Sequence, residues 1–561
     1  MAAWMVLAIA LAAPAPAMSK DLMDVSVTRL EALYRARRYT VGQVVRWHLA
    51  RMDRYDGLYR AVQTRLDASA LAEAAKEDAQ LRTPGFKPGP LFGVPIVIKS
   101  NTSVKGEVTT AGFRGFKLVG HELTAPRDAP IVAKLRAAGA IIVGISNMPD
   151  FAASDTTRST AFGRTGNAYD VRFSPGGSSG GTVTSVTGNF AVLGNGTDTG
   201  NSIRMPVATS NLVGVFPTRG LVSIAGIAPM DWKLDNTGPI ARSVEDAAIA
   251  LTVMAGEDPL DPATARSAVK AQGKDYTAYL KPGALKGRRF GVPAFVMDGT
   301  STVFQGVCPG ASEEVAAKLK AENRVALHPD TRTAFLKALD ELRAAGAEIV
   351  TTSDILPDAF ADAASRICTQ PYLREGYDTF LKDFGPAQYH SVADYQRAVG
   401  KALPPVAVGG DDSAGMSSQR GIKQVRLEDD PAAEATYLRP RREVLAAYVG
   451  ALEANHLDGF VYPAAQMPPP DETMPQDGGV SGGPHSATAW VNMLGVPAIS
   501  IPAGFYEDGL PFGIEFSARP WRDGDLIAWA YDYQRLTHHR RPPVLSEGGY
   551  LPRAAKPLPS L

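Results

Sequence analysis

Apolar positions along the chain follow two rhythms, one helical and one of short uninterrupted runs. Residues 22–38 and 41–56 carry apolar side chains at helical spacing, with Leu30, Leu33, Val44, Val45 and Leu49 on the inward faces. Residues 67–81 are Ala-rich and alternate in charge, predicting a surface helix that begins near an Asp cap. The pattern predicts further helices over 128–138, 182–186, 331–345, 442–454 and 526–537. Another is predicted over 243–254, capped by Ser243, with Glu245 and Asp246 in its first turn. Apolar runs at 94–98, 140–144, 190–193, 347–351, 457–463, 496–502 and 512–516 read as strands. Strand and helix units alternate, so the expected fold class is α/β: a large mixed, twisted sheet with helices on both faces. Residues 403–435 are rich in Gly, Asp, Ser and Pro without period and read as an insertion or lid. Residues 466–484 read as a loop near the rim of a site, and no internal repeat is visible.

Two places resist this pattern. Lys99 closes the 94–98 run, although ammonium groups are rarely buried. The run Ser174-Pro-Gly-Gly-Ser-Ser-Gly-Gly-Thr182 has the composition of a flexible linker. It leads directly into residues 182–193, which are small or apolar enough to be buried. Glycine in that setting permits close backbone approach and unusual φ/ψ rather than flexibility.

Composition narrows the function classes. The 561 residues are 45% hydrophobic and 21% charged, a globular profile that suits one large α/β domain or two domains. Lys plus Arg and Asp plus Glu both number 58, which argues against a nucleic-acid or anionic-membrane partner held by bulk charge. The two cysteines, Cys308 and Cys368, are too few for a disulfide framework or cysteine metal cluster; one disulfide or two free thiols are both open. The eight histidines show no metal-ligand spacing, so no catalytic metal is expected. Residues 1–17 carry an apolar run too short to span a bilayer, followed by Ala15-Pro16-Ala17, and fit a secretory signal peptide. They lack a basic residue, and a stray apolar tail is the alternative. Periplasmic or secreted placement is therefore expected, with the cytoplasm as the alternative. Residues 18–561 are expected to form a single domain without stable membrane insertion.

Three residues call for a joint explanation: Lys99, Ser178 and Ser202. The segments Gly93-Val-Pro-Ile-Val-Ile-Lys99, Gly176-Gly-Ser-Ser-Gly-Gly181 and Thr197-Asp-Thr-Gly-Asn-Ser-Ile-Arg204 resemble the lysine strand, serine-rich motif and nucleophile motif of the amidase signature hydrolases. Ser202 lies 24 residues after Ser178. Thr109–Gly112, Gly144–Phe151, Asp235–Arg242, Asn492–Gly504 and Gly509–Gly513 resemble the family's flanking segments, so the similarity covers nearly all of the chain after residue 20. It is weakest between about 260 and 480.

The resemblance implies that Ser202 is the nucleophile, Ser178 a bridging serine after a cis Gly177–Ser178 peptide, and Lys99 the ultimate base. Chemistry agrees with that assignment. A serine hydroxyl needs a base to become nucleophilic, and lysine serves only when neutral, which desolvation favours. Ser178 would relay the proton and return it to the leaving amine. Residues Thr199, Gly200, Asn201 and Ser202 resemble the oxyanion loop. Asp198 and Arg204 are expected to brace that loop as an ion pair, and Gly177 to support the bridging serine. Asn201 stands where the family has glycine; asparagine tolerates positive φ, and its amide would add a donor or narrow the site.

The implied function is hydrolysis of carboxylic amide C–N bonds in a small-molecule substrate, with esters or carbamates as side substrates and no cofactor. Three other readings remain open. Gly176-Gly-Ser-Ser-Gly180 fits an α/β-hydrolase nucleophile elbow, with Ser178 as nucleophile and His485 or His538 downstream, although no apolar strand precedes it. An ammonia-producing amidotransferase subunit is the second. A non-catalytic ligand-binding protein of the same fold is the third. His485 reads either as a surface-loop histidine or as a substrate contact, and Trp232 and Trp490 as core or pocket-wall aromatics.

Overall fold

A computed structural model describes residues 16–271, 273–298, 308–309, 326–409, 422–472 and 482–543. Its strands in chain order are β1 (Val62–Arg65), β2 (Val94–Lys99), β3 (Ala140–Ser146), β4 (Arg158–Ser159), β5 (Gly163–Arg164), β6 (Leu193–Asp198) and β7 (Val213–Phe216). There follow β8 (Asn236–Ala241), β9 (Arg289–Gly291), β10 (Glu348–Val350), β11 (Gly459–Pro463), β12 (Ala498–Phe505) and β13 (Pro511–Ser517). β4 and β5 pair with each other, and the other eleven form one mixed sheet in the order β1-β3-β2-β6-β8-β7-β12-β13-β11-β9-β10. β2 runs parallel to both β3 and β6. The stretch from β6 to β11 is antiparallel throughout.

The alternation of strand side chains explains why the sheet is covered twice. Phe216, Phe460 and Tyr462 pack in one cluster with Trp490 and Tyr448. Their neighbours Val215 and Val461 belong to another, with Leu251, Phe335 and Ile527 of the helices Val244–Met254, Pro329–Ala344 and Asp523–Thr537. Adjacent strand residues face opposite ways, so both faces must bury apolar surface against helices. The N-terminal helices Val27–Arg35 and Val41–Tyr59 bury Leu30, Leu33, Val44, Val45 and Leu49 as expected.

The differences from the sequence pattern have local causes. The strand expected at 190–193 begins at Leu193 and runs through Gly194-Asn-Gly-Thr-Asp198. A Cβ at Gly194 would lie 2.7 Å from Val97 O, so closely spaced backbone, not aliphatic bulk, fills this part of the sheet. β7, β8 and β9 and the helices Asp358–Ala364, Leu373–Phe384 and Val392–Val399 have no counterpart in the sequence reading. The helix expected at 67–81 spans Asp67–Gln80, but Leu66 occupies its cap position and Asp67 sits in the first turn, bonded to Arg65. Of the 403–435 segment, Leu403, Ala407 and Val408 pack against Tyr377 and Phe380, while 410–421 lies outside the described residues. Residues 1–15 and 473–481 lie outside them too. Cys308 and Cys368 form a disulfide with Cα atoms 5.0 Å apart. No helix among the described residues is long and apolar enough to cross a membrane.

Candidate active site

β2 lies between β3 and β6, and its last residue is Lys99. Asn195 of β6 accepts the Lys99 backbone N–H at 2.9 Å. The side chain is fully buried. Its Nζ lies 2.7 Å from Ser178 Oγ, 2.9 Å from Ser179 Oγ and 3.2 Å from Thr197 O. Burial pushes the amine's pKa down to about 7, against the opposing pull of the Asp198 and Asp235 carboxylates. A neutral amine has two N–H donors and one lone pair. All three oxygens lie within hydrogen-bond distance of the amine.

The Ser174–Thr182 run is a fixed loop and not a linker. The Gly177–Ser178 peptide is cis. Thr157 Oγ1 donates to Gly176 O at 2.8 Å. At Gly177 a Cβ would lie 2.3 Å from Thr156 O and 2.6 Å from Ser154 O, so glycine is required there. Ser178 and Ser179 then open the helix Gly180–Thr187, whose residues are all buried.

Ser202 sits on the loop after β6, 5% exposed, and its carbonyl accepts the Ser179 N–H at 3.3 Å. The two serine loops are thereby joined. Thr199 Oγ1 donates to Asp235 at 2.5 Å, and the Gly200 carbonyl accepts Arg204 Nη2 at 2.8 Å. Arg204 is fully buried and pairs with Asp198 at 3.1 Å and Glu515 at 2.8 Å. It also donates to Asn492 Oδ1 at 2.5 Å, and Asn492 returns a donor to Asp198 at 2.9 Å. Asp198 and Arg204 are thus ion-paired at the two ends of the loop that carries Ser202. Asn201 is not left-handed, and neither is Gly200, so the asparagine meets no backbone restriction. Its Nδ2 donates to Asp155 Oδ1 at 3.1 Å.

No histidine hydrogen-bonds to Ser178 or Ser202 among the described residues. His485 pairs with Asp155 at 3.3 Å, and His538 caps the helix Asp523–Thr537. Residues 165–172, just before the serine run, are not a strand. Both observations count against the nucleophile-elbow reading. Groups of side chains able to hold a metal ion are absent among the described residues. Trp490 is a core residue. Trp232 is partly buried and donates to Tyr372 O at 3.0 Å.

A family model described as Amidase matches residues 43–527. The chain belongs to the amidase signature family. Amidase-family relatives span it nearly end to end. A glutamyl-tRNA(Gln) amidotransferase subunit of Symbiobacterium thermophilum is 31% identical over 543 residues, covering 93% of this chain and 99% of the relative. Its namesake from Acaryochloris marina is 30% identical over 494 residues, covering 85% and 90%. The solved peptide amidase from Stenotrophomonas maltophilia superposes with a TM-score of 0.72 at 30% identity, over 93% of this chain and 98% of that one. As an amidase-family enzyme the protein acts on C–N bonds.

Sequence reasoning left four residues around this amidase-family site without a role. Ser179, Asp235, Asn492 and Glu515 contact Lys99, Thr199 or Arg204. Ser179, Asp235 and Asn492 lie inside motifs that resemble the family, and that was the available signal. Asp155 carries no such signal, since its contact with Asn201 spans 46 positions.

Proposed function

We propose that this protein hydrolyses carboxylic amides through an acyl-enzyme on Ser202. The observation that carries the reading is the buried Lys99 amine, 2.7 Å from Ser178 Oγ, with its pKa brought to about 7. Neutral Lys99 takes the Ser178 proton while Ser178 takes that of Ser202, and Ser202 Oγ attacks the amide carbon. The oxyanion faces the backbone N–H groups of residues 199–202. Lys99 is then an ammonium, supported by Asp198 and Asp235. Collapse breaks the C–N bond, and the proton returns through Ser178 to the leaving amine, which departs only when protonated. Water attacks the ester through the same relay and releases the acid. Esters and carbamates are expected side substrates.

The names of the curated relatives favour a second reading, in which the chain serves an amidotransferase complex. There the same acyl-enzyme step releases ammonia for use at another active site. Lys plus Arg and Asp plus Glu are equal in number, so the chain as a whole carries no excess positive charge to attract tRNA. We also propose export of a single domain following residues 1–17, supported by the Cys308–Cys368 disulfide, since disulfides persist in oxidising compartments.

The test is a panel of aryl, aliphatic and peptide amides, carbamates and glutamine, with ammonia and amine release measured at pH 8. The hydrolase reading expects multiple turnovers without a partner, and an acyl adduct on Ser202 in quenched reactions. Turnover confined to glutamine and strongly raised by a tRNA-bearing partner would establish the second reading. Full activity in Ser202→Ala would exclude both.

A further inference from the structure

One short segment, Ser154–Thr156, touches both serine loops. Its Ser154 and Thr156 carbonyls close the space over Gly177, directly before Ser178. Its Asp155 carboxylate accepts the Asn201 amide at 3.1 Å, directly before Ser202. The other Asp155 oxygen lies 3.3 Å from His485 Nδ1. Behind it, a Cβ at Gly483 would lie 2.5 Å from Asp155 O, so the 483–488 loop is seated on this residue. That loop is tied at two further points: Gln466 N–H donates to His485 O at 3.0 Å, and Arg204 Nη1 donates to Thr488 O at 3.2 Å. The loop bearing Ser202 is thus held from two sides. Arg204 grips its far end from the core, and Asp155 grips the residue before the serine from the rim.

We propose that Asp155, oriented by His485, is a positioning residue for the amide-cleaving reaction: it anchors Asn201 and thereby aims Ser202 and the N–H groups beside it. The inference rests on the proposed role of Ser202. Asp155 acts through Asn201 and not on substrate, so its loss reduces the rate of acylation without weakening substrate binding. The interaction also gives the asparagine a function: its amide is a tether to the rim, a bond no glycine could make. His485 is 38% exposed at its side chain, and its hold on the second carboxylate oxygen restricts Asp155 to the rotamer that meets Asn201. A partly exposed charge pair contributes modestly by itself, so its effect is on geometry.

The experiment is steady-state kinetics on an amide found by the panel above, with Ser202→Ala as reference. Asp155→Ala is expected to lower kcat about tenfold, the loss of one hydrogen bond to a charged acceptor, with KM within about twofold. Asp155→Asn keeps an acceptor for Asn201 and should recover kcat to within about threefold of wild type. Adding Asn201→Ala to Asp155→Ala should cost no more than about a further twofold, because residues in one network are not additive. His485→Ala, on the rim, should lower kcat about threefold, and should have no effect in the Asp155→Ala background. Additive losses, a change confined to KM, or all variants within twofold of wild type would overturn the proposal. If Ser202→Ala abolishes turnover while Asp155→Ala leaves kcat within about twofold of wild type, this inference alone falls. If Ser202→Ala remains active, the reading beneath it falls as well.

Discussion

The neutral fraction of Lys99 should set the rate of the reaction. With the amine's pKa at about 7, about 10% of it is neutral at pH 6 and about 90% at pH 8. The rate constant kcat/KM for an amide should therefore rise about ninefold between those values and level off above pH 8. An ordinary lysine, near 10.4, would be under about 1% neutral at pH 8, and the rate would climb about tenfold per unit to pH 10. The bend thus reports burial directly. Stability follows with the same sign. The folded pKa lies below the unfolded one, so the native state resists protonation. Stability contributed by this group is present above about pH 10.4 and is lost as pH falls toward 7, by about 5 kcal/mol in all. Lys99→Met removes the base and the penalty together. The rate should fall by about 10²–10⁴, the bend should vanish, and the stability of the variant should depend less steeply on pH between 7 and 10. The assay is amine release from one amide across pH 5.5–10, in parallel with urea denaturation. A flat profile, a bend near 10, or a bend that persists in Lys99→Met would refute the proposed base.

Three further outcomes are expected. Ser178→Ala should slow amide cleavage by about 10²–10⁴ and ester cleavage less, because an alkoxide depends less on a returned proton; parallel kinetics on a matched amide and ester measure the difference, and equal losses would contradict the relay. Arg204→Met leaves the fully buried Asp198 and Glu515 carboxylates without their partner; a loss of about 3–5 kcal/mol is expected, read as a lowered thermal midpoint at pH 7. The Cys308–Cys368 disulfide closes a separation of 60 residues, which in the chain-entropy account stabilises by about 4 kcal/mol. Cys308→Ser should lower the thermal midpoint accordingly, and reductant should shift the wild type but not the variant.

Much of the site was legible because its residues are clustered in the chain. Ser178, Ser179, Ser202 and Arg204 lie within one stretch, and Lys99 stands out as a charge ending an apolar run. The strand 94–99 and the helices that follow 41, 243 and 331 were visible because aliphatic side chains mark their buried faces. β6 was misplaced because glycine and hydrogen-bonded Asn195, Thr197 and Asp198 fill its surroundings, and such residues do not register as apolar. Asn201 was read as part of the oxyanion loop and as a departure from the family pattern, but its partner could not be read.

By itself the sequence determined which chemistry is present: an amine, two hydroxyls and the glycines that let their loops approach closely. It also determined the α/β class, since periodicity is a local property of the chain. The tertiary structure alone decided the protonation of Lys99, which depends on exclusion of water by the strands and the helix packed around it. It alone decided that Arg204 would be held by Glu515, 311 positions away, and Asn201 by Asp155. Interactions across such distances arise from how the sheet is ordered, and that ordering leaves no periodic trace in the chain.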